Sequence, residues 1–169
     1  MTETSRLDFD PIERAGQLWH EHFGEATDEM LLATSIMRVQ QLMLARLDAA
    51  LKPFGITFAR YEVLVLISFS RAGSLPLSKI GERLMVHPTS VTNAIDRLES
   101  QGLVVREADG SDRRRTLASL TAEGRRVVEQ ATRALHDIDF AVDGLAPEQQ
   151  RQAFDLLRAM RSAAGDFPA

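Results

Sequence analysis

No cysteine occurs among the 169 residues. That excludes disulfides, thiolate catalysis and cysteine redox sensing, and it favours a cytoplasmic location. Aromatic residues are few, at 6%, with Trp19 the one tryptophan and Tyr61 the one tyrosine. No apolar run approaches the ~18 residues of a membrane span. Met1 to Asp10 carries four charged side chains and no apolar core, which argues against a secretory signal. His20 and His22 are two apart and diverge by about 200° on a helix. With only His87 and His136 besides, no metal site is expected. There is no phosphate loop and no nucleophile motif. Neither an enzyme nor a cofactor is expected.

What is present fits a globular chain. Hydrophobic residues make up 44% and charged residues 26%, and the length suits one domain with helical extensions. Net charge is −4, an unusual sign for a protein that meets a polyanion. The distribution matters more than the sum. Between Ser78 and Arg126 nine Lys/Arg face seven Asp/Glu, a balance of +2, while the remainder carries −6.

Residues 10–24 read as a leading helix, capped by Asp10, with Pro11 in its first turn and Gly24 as its stop. A long helix over 28–52 is apolar around much of its circumference, so burial on more than one side is expected. Thr57 is placed to cap a third helix running to Arg71. Leu75 to Leu77 suits a minimal strand. Ser78 is placed to cap the next helix, and His87-Pro88 opens another that runs to Gln101 and stops at Gly102. Leu103 to Arg106 and Thr116 to Leu120 read as two strands around a turn at Asp109-Gly110-Ser111. Thr121 caps a helix whose apolar spacing continues to Val142, with Gly144 as the break. A last helix starts at Pro147.

The functional centre of this pattern runs from Leu77 to Thr121. On the helix opening at Pro88, the 3.6-residue period puts Val91, Ala94, Ile95 and Leu98 on one face. Thr89, Ser90, Thr92 and Asn93, with Arg97 beside them, lie on the other. Short hydrogen-bonding side chains let a helix backbone approach base edges in a major groove. A solvated helix face is the plainer reading of the same residues, and Asp96 leans toward it unless it pairs with a nearby arginine. The hairpin that follows carries Arg113-Arg114-Arg115, and guanidinium on a loop tip suits the narrow minor groove. Asp112 is close enough in sequence to hold Arg114. Three solvated arginines are the plainer reading there. The expected fold is mostly α with a small β-wing: a winged helix-turn-helix.

The stretch resembles the multiple antibiotic resistance regulator (MarR) family. The likeness lies in Asp96-Arg97-Leu98-Glu99-x-x-Gly102-Leu103-Val104, in Asp112-x-Arg114, and in Leu120-Thr121-x-x-Gly124. It extends by order of helices from about Asp28 to Met160. It implies a homodimer with three regions: 1–56, an extension helix and dimerisation helix; 57–120, the winged helix-turn-helix; and 121–169, C-terminal dimerisation helices. It further implies repression of neighbouring genes through a pseudo-palindrome on double-stranded DNA, with release by a small aromatic or phenolic effector. By position, the helix from Pro88 reads the major groove, Arg114 enters the minor groove and Asp112 braces it. The leading helix resembles the extended N-terminus of the urate-responsive branch, whose ligand-site tryptophan aligns with Trp19. That branch has aspartate where Glu62 stands and arginine where Ala94 stands. Trp19 serves as a packing residue in the alternative reading.

A ligand pocket beneath the reading helix would draw on Trp19, Phe23, Met37, Phe58, Arg60 and Tyr61, with Arg60 meeting a carboxylate. Such residues at helical spacing also suit a plain core. The second functional hypothesis is a dimeric winged-helix protein that acts mainly through protein–protein contacts and binds DNA weakly.

Overall fold

The computed structural model describes residues 7–110, 112 and 115–167. The chain divides into two compact units, one up to Ala45 and one from Arg46 onward.

In the first unit, α1 (Pro11–Phe23) starts where Asp10 Oδ1 accepts from the N–H of Ile12 at 2.8 Å and ends at Gly24, with φ 73°. It leads into α2 (Thr27–Leu51). Gly16 lets the two helices close: a Cβ there would lie 2.7 Å from Leu31 Cδ2. The Trp19 indole N–H donates to the Glu25 carbonyl at 2.8 Å, and the Trp19 and Phe23 ring centroids are 4.8 Å apart. The expectation that the long helix is buried on several sides is not met within one chain. Leu32, Met37, Val39, Leu42 and Leu44 all stand exposed.

The second unit builds on the end of α2, where Leu47 and Leu51 are buried. Then follow α3 (Phe58–Ser68), β1 (Ser74–Pro76), α4 (Leu77–Leu84), α5 (Pro88–Ser100), β2 (Val104–Ala108), β3 (Thr116–Leu120), α6 (Ala122–His136) and α7 (Pro147–Ala163). The strands form one antiparallel sheet in the order β1-β3-β2, with Val104 opposite Leu120 and Leu75 opposite Ala118. Leu51, Leu64, Ile67, Ile80, Ile95, Leu98 and Leu135 fill its core. Among the described residues, no helix is long and apolar enough to cross a membrane.

Three expectations about local structure are corrected. Thr57 occupies the cap position of α3 without a side-chain bond, and the first N–H of the helix, that of Phe58, donates instead to Asp48 Oδ1 at 2.7 Å. Ser78 lies inside the first turn of α4, whose cap position is Pro76. The helix after Thr121 stops at His136 and does not run to Val142. Asp139, Phe140 and Ala141 take positive φ of 47°, 50° and 62°. This reversed turn still packs Ile138, Phe140 and Ala141 against the core. The apolar positions that mimic a continuing helix are used, but through the opposite hand. Each non-glycine residue in that hand costs roughly 1–2 kcal/mol, which the burial of Phe140 and Ile138 offsets.

Candidate nucleic-acid interface

The helix-turn-helix is held by one close approach. A Cβ on Gly81 of α4 would lie 3.3 Å from both the Val86 carbonyl oxygen and Val91 Cγ2, so a small residue is required where α4 crosses α5. Between them Met85 takes the left-handed conformation, φ 55°. His87 caps α5, its Nδ1 accepting from the N–H of Thr89 at 3.2 Å, and Pro88 fills the first helical position. Val91, Ile95 and Leu98 are all buried, and Ala94 packs partly against the core. This is the inward stripe expected from the sequence.

The other face of α5 is open. Pro88, Thr89, Ser90, Thr92, Asn93 and Arg97 are all exposed. The Thr92 hydroxyl donates to the Pro88 carbonyl at 3.1 Å. The side chains of Thr89, Ser90, Asn93 and Arg97 have no hydrogen-bond or ion-pair partner among the described residues. They are free to bond to something outside the chain.

Alongside this face lies a cleft of about 740 Å³ between the start of α3 and α5, lined among others by Thr57, Arg60, Ser90, Asn93, Asp96 and Arg97. Arg60 is half-buried and, like Arg97, makes no ion pair among the described residues. Two unpaired guanidinium groups on one cleft favour an anion there.

The wing is the β2–β3 hairpin. Its strands pair from Val104 with Leu120 out to Ala108 with Thr116, two residues beyond the expected end at Arg106. At the tip, the N–H of Asp109 donates to the Arg115 carbonyl at 3.0 Å and the N–H of Arg115 to the Asp112 carbonyl at 2.9 Å. Asp112 Oδ2 lies 3.7 Å from Arg115 Nε. Ser111, Arg113 and Arg114 lie outside the described residues, and with them the expected Asp112–Arg114 brace. Arg115 and Asp112 are exposed on the hairpin.

Sequence reasoning did not single out Arg106. From the middle of β2 its Nη1 donates to Asp96 Oδ1 at 2.6 Å, its Nη2 pairs with Glu99 Oε2, and its main-chain N–H donates to Glu99 Oε1 at 3.2 Å. Asp96 and Glu99 are one turn apart on α5, but their meeting with Arg106 depends on β2 lying beside that helix.

The residues expected to take a ligand are divided between the two units. Trp19 and Phe23 pair on α1, and Met37 is exposed on α2. In the second unit Phe58 and Tyr61 stack with centroids 5.9 Å apart. Tyr61 is buried, and its hydroxyl lies 2.9 Å from Thr132 Oγ1. Arg60 lines the cleft beside α5. Desolvation raises the Glu62 carboxyl above its ordinary value.

Comparison with known proteins bears on this geometry. The model of the MarR family matches residues 56–116. Sco5413, a MarR family transcriptional regulator from Streptomyces coelicolor, superposes with a TM-score of 0.77 at 53% identity, covering 84% of this chain and 99% of that one. Sco3205 from the same organism, solved in complex with DNA, gives a TM-score of 0.74 at 27% identity over 80% of this chain and 87% of that one. CouR from Rhodococcus jostii RHA1, solved bound to p-coumaroyl-CoA, gives 0.68 at 29% identity over 82% and 94%. Two curated relatives from Bacillus subtilis match over less of their length. The repressor MdtR of Bacillus subtilis is 36% identical over 96 residues, 58% of its length. YhbI of the same organism, an uncharacterized transcriptional regulator, is 38% identical over 85 residues, 54% of its length. The chain thus spans little more than half of these two relatives.

Proposed function

Because this chain belongs to the MarR family of transcriptional regulators, whose members bind DNA and are not enzymes, we propose that it is a repressor that grips a pseudo-palindromic operator as a homodimer. The observation that carries this reading is the open face of α5. Thr89, Ser90 and Asn93 are short, exposed and unpartnered there, on a helix anchored from behind by Val91, Ile95 and Leu98. Such a face suits major-groove readout, with Asn93 placed for adenine and the Thr89 and Thr92 methyls for thymine. Arg97 and the wing arginines Arg113, Arg114 and Arg115 supply contacts to phosphates and the minor groove. Sco3205, a similar fold, is solved in complex with DNA, which supports DNA as the partner.

In this proposal residues 57–120 bind DNA, while 1–56 and 121–169 join the subunits. The apolar residues left open on α2, with Phe154, Leu156, Leu157 and Met160 on α7, supply the apolar surface that an obligate dimer buries. The protein–protein alternative drew on net acidity and on Asp96. The pairing of Asp96 with Arg106 removes the second of these.

The effector is a small aromatic or phenolic acid. The p-coumaroyl-CoA in CouR, a phenolic thioester, supports the phenolic part of that class, and Arg60 and Arg97 along the cleft favour a negative charge. An effector releases DNA only by binding the free form more tightly than the bound one.

The test is an in vitro selection from random duplexes followed by footprinting. The expected result is a site with dyad symmetry, its halves about one helical turn apart. Binding no tighter than to random DNA would refute the repressor. A thermal-shift panel of aromatic acids, repeated with operator present, tests the effector.

A further inference from the structure

Asp96 is a poor residue for a helix that meets phosphates. It lines the same cleft as Asn93 and Arg97, and its side chain is 49% exposed. Glu99, one turn further on, adds a second carboxylate at the same edge. Uncompensated, the two would repel the duplex over most of a Debye length, about 8–10 Å at ordinary salt. Both are met by one side chain from another element. Arg106 Nη1 takes Asp96 at 2.6 Å and Nη2 takes Glu99, while the Arg106 main-chain N–H donates to the second Glu99 oxygen at 3.2 Å. A guanidinium is suited to this, since its fork of N–H groups serves two carboxylates at once.

We propose that Arg106 is a positioning residue for DNA binding, which offsets one of the two charges of Asp96 and Glu99 at the edge of the reading face, holds both carboxylates to itself, and ties the wing to the recognition helix. The proposal rests on the DNA-binding reading above. The main-chain bond sets β2 against α5, so the wing tip and the reading face approach DNA as one piece. The guanidinium is 34% exposed, and exposed ion pairs contribute little to stability. The importance of this cluster lies in what it presents to a polyanion rather than in holding the fold. The Glu99 carboxyl is held below its ordinary value by its bond to Arg106, in keeping with a charged pair.

The test compares three proteins on the best duplex recovered by selection with the wild type. Arg106→Ala exposes both carboxylates and is expected to lose ~10-fold or more in operator affinity. The triple variant Asp96→Asn, Glu99→Gln, Arg106→Ala lacks the same arginine but carries no uncancelled charge. It is expected to recover to within ~3-fold of wild type. Thermal melting of both variants is expected near that of wild type. A merely structural role would lower melting in both variants and give no recovery. An Arg106→Ala protein that binds as wild type overturns the proposal, and so does a triple variant no better than the single one. In either case the wild type still selects its operator, so the regulatory reading survives. A wild type that selects nothing overturns both.

Discussion

Gly124 stands against the carbonyl of Leu103, where a Cβ would come within 2.0 Å of the oxygen. This explains the Leu120-Thr121-x-x-Gly124 pattern physically. The Thr121 hydroxyl accepts from the N–H of Gly124 at 2.9 Å and reaches the Gly102 carbonyl at 2.7 Å. The start of α6 is thereby pinned onto the end of α5. The obstructing atom is backbone, so a side chain at 124 cannot be accommodated by a rotamer change. Gly124→Ala should destabilise the second unit by roughly 1–3 kcal/mol or more, read by urea or thermal unfolding. Wild-type stability in this variant would show that the contact relaxes freely.

Asn93 should set base preference more than overall affinity. Its exposed amide has no partner among the described residues. Asn93→Ala should lose ~1–3 kcal/mol on the selected operator and little on random duplex. Equal weakening on both would make Asn93 a phosphate contact.

Acid should weaken the fold in a defined window. The Glu99 carboxyl is lowered by its bond to Arg106, Glu82 by Lys79, Glu123 by Arg126 and Asp143 by Arg46. A folded pKa below the unfolded value, about 3.9–4.3, means stabilisation that is present above that value and lost as pH falls through the folded one. Melting temperature should therefore be flat with respect to these groups from about pH 5 to 7 and fall below about pH 4.5. Glu99→Gln should make that fall shallower. Glu62 has the opposite sign, because desolvation raises its carboxyl. Its ionisation opposes folding as pH rises, so Glu62→Gln should make the acid loss steeper. Melting curves from pH 3 to 7 check both signs.

A charge on the open face of α7 should separate subunits. Leu156 is 70% exposed in the single chain. Leu156→Glu with Met160→Glu should give a monomer by sedimentation, and operator affinity should drop with it. A dimer that persists would locate the interface elsewhere.

The helix positions were legible because the apolar period is strong where one face is buried. Val91, Ile95 and Leu98 on α5 are the clearest example, and all three are buried as their spacing demands. The end of α6 was not legible. Ile138 and Val142 keep the helical spacing, and spacing cannot distinguish a continuing helix from a turn of opposite hand that buries the same side chains. Caps were legible where the local side chain does the capping, as at Asp10 and Thr121. They failed at Thr57, whose hydroxyl makes no capping bond, while the N–H of Phe58 is met by Asp48 from ten residues away. The reading face could be projected from α5 alone. Arg106 could not, because its role depends on β2 lying beside α5, a tertiary fact.

The left-handed turn at Asp139-Phe140-Ala141 makes the last helix a separately phased module. Had α6 run on, the direction of every side chain in α7 would follow from its own at 100° per residue. The reversal breaks that inheritance. Changes in the length of 143–146 can rotate the apolar face of α7 while Leu135 and the core beneath it stay in place. A lineage of such chains can therefore re-aim the apolar side of its last helix without altering a single residue of α5.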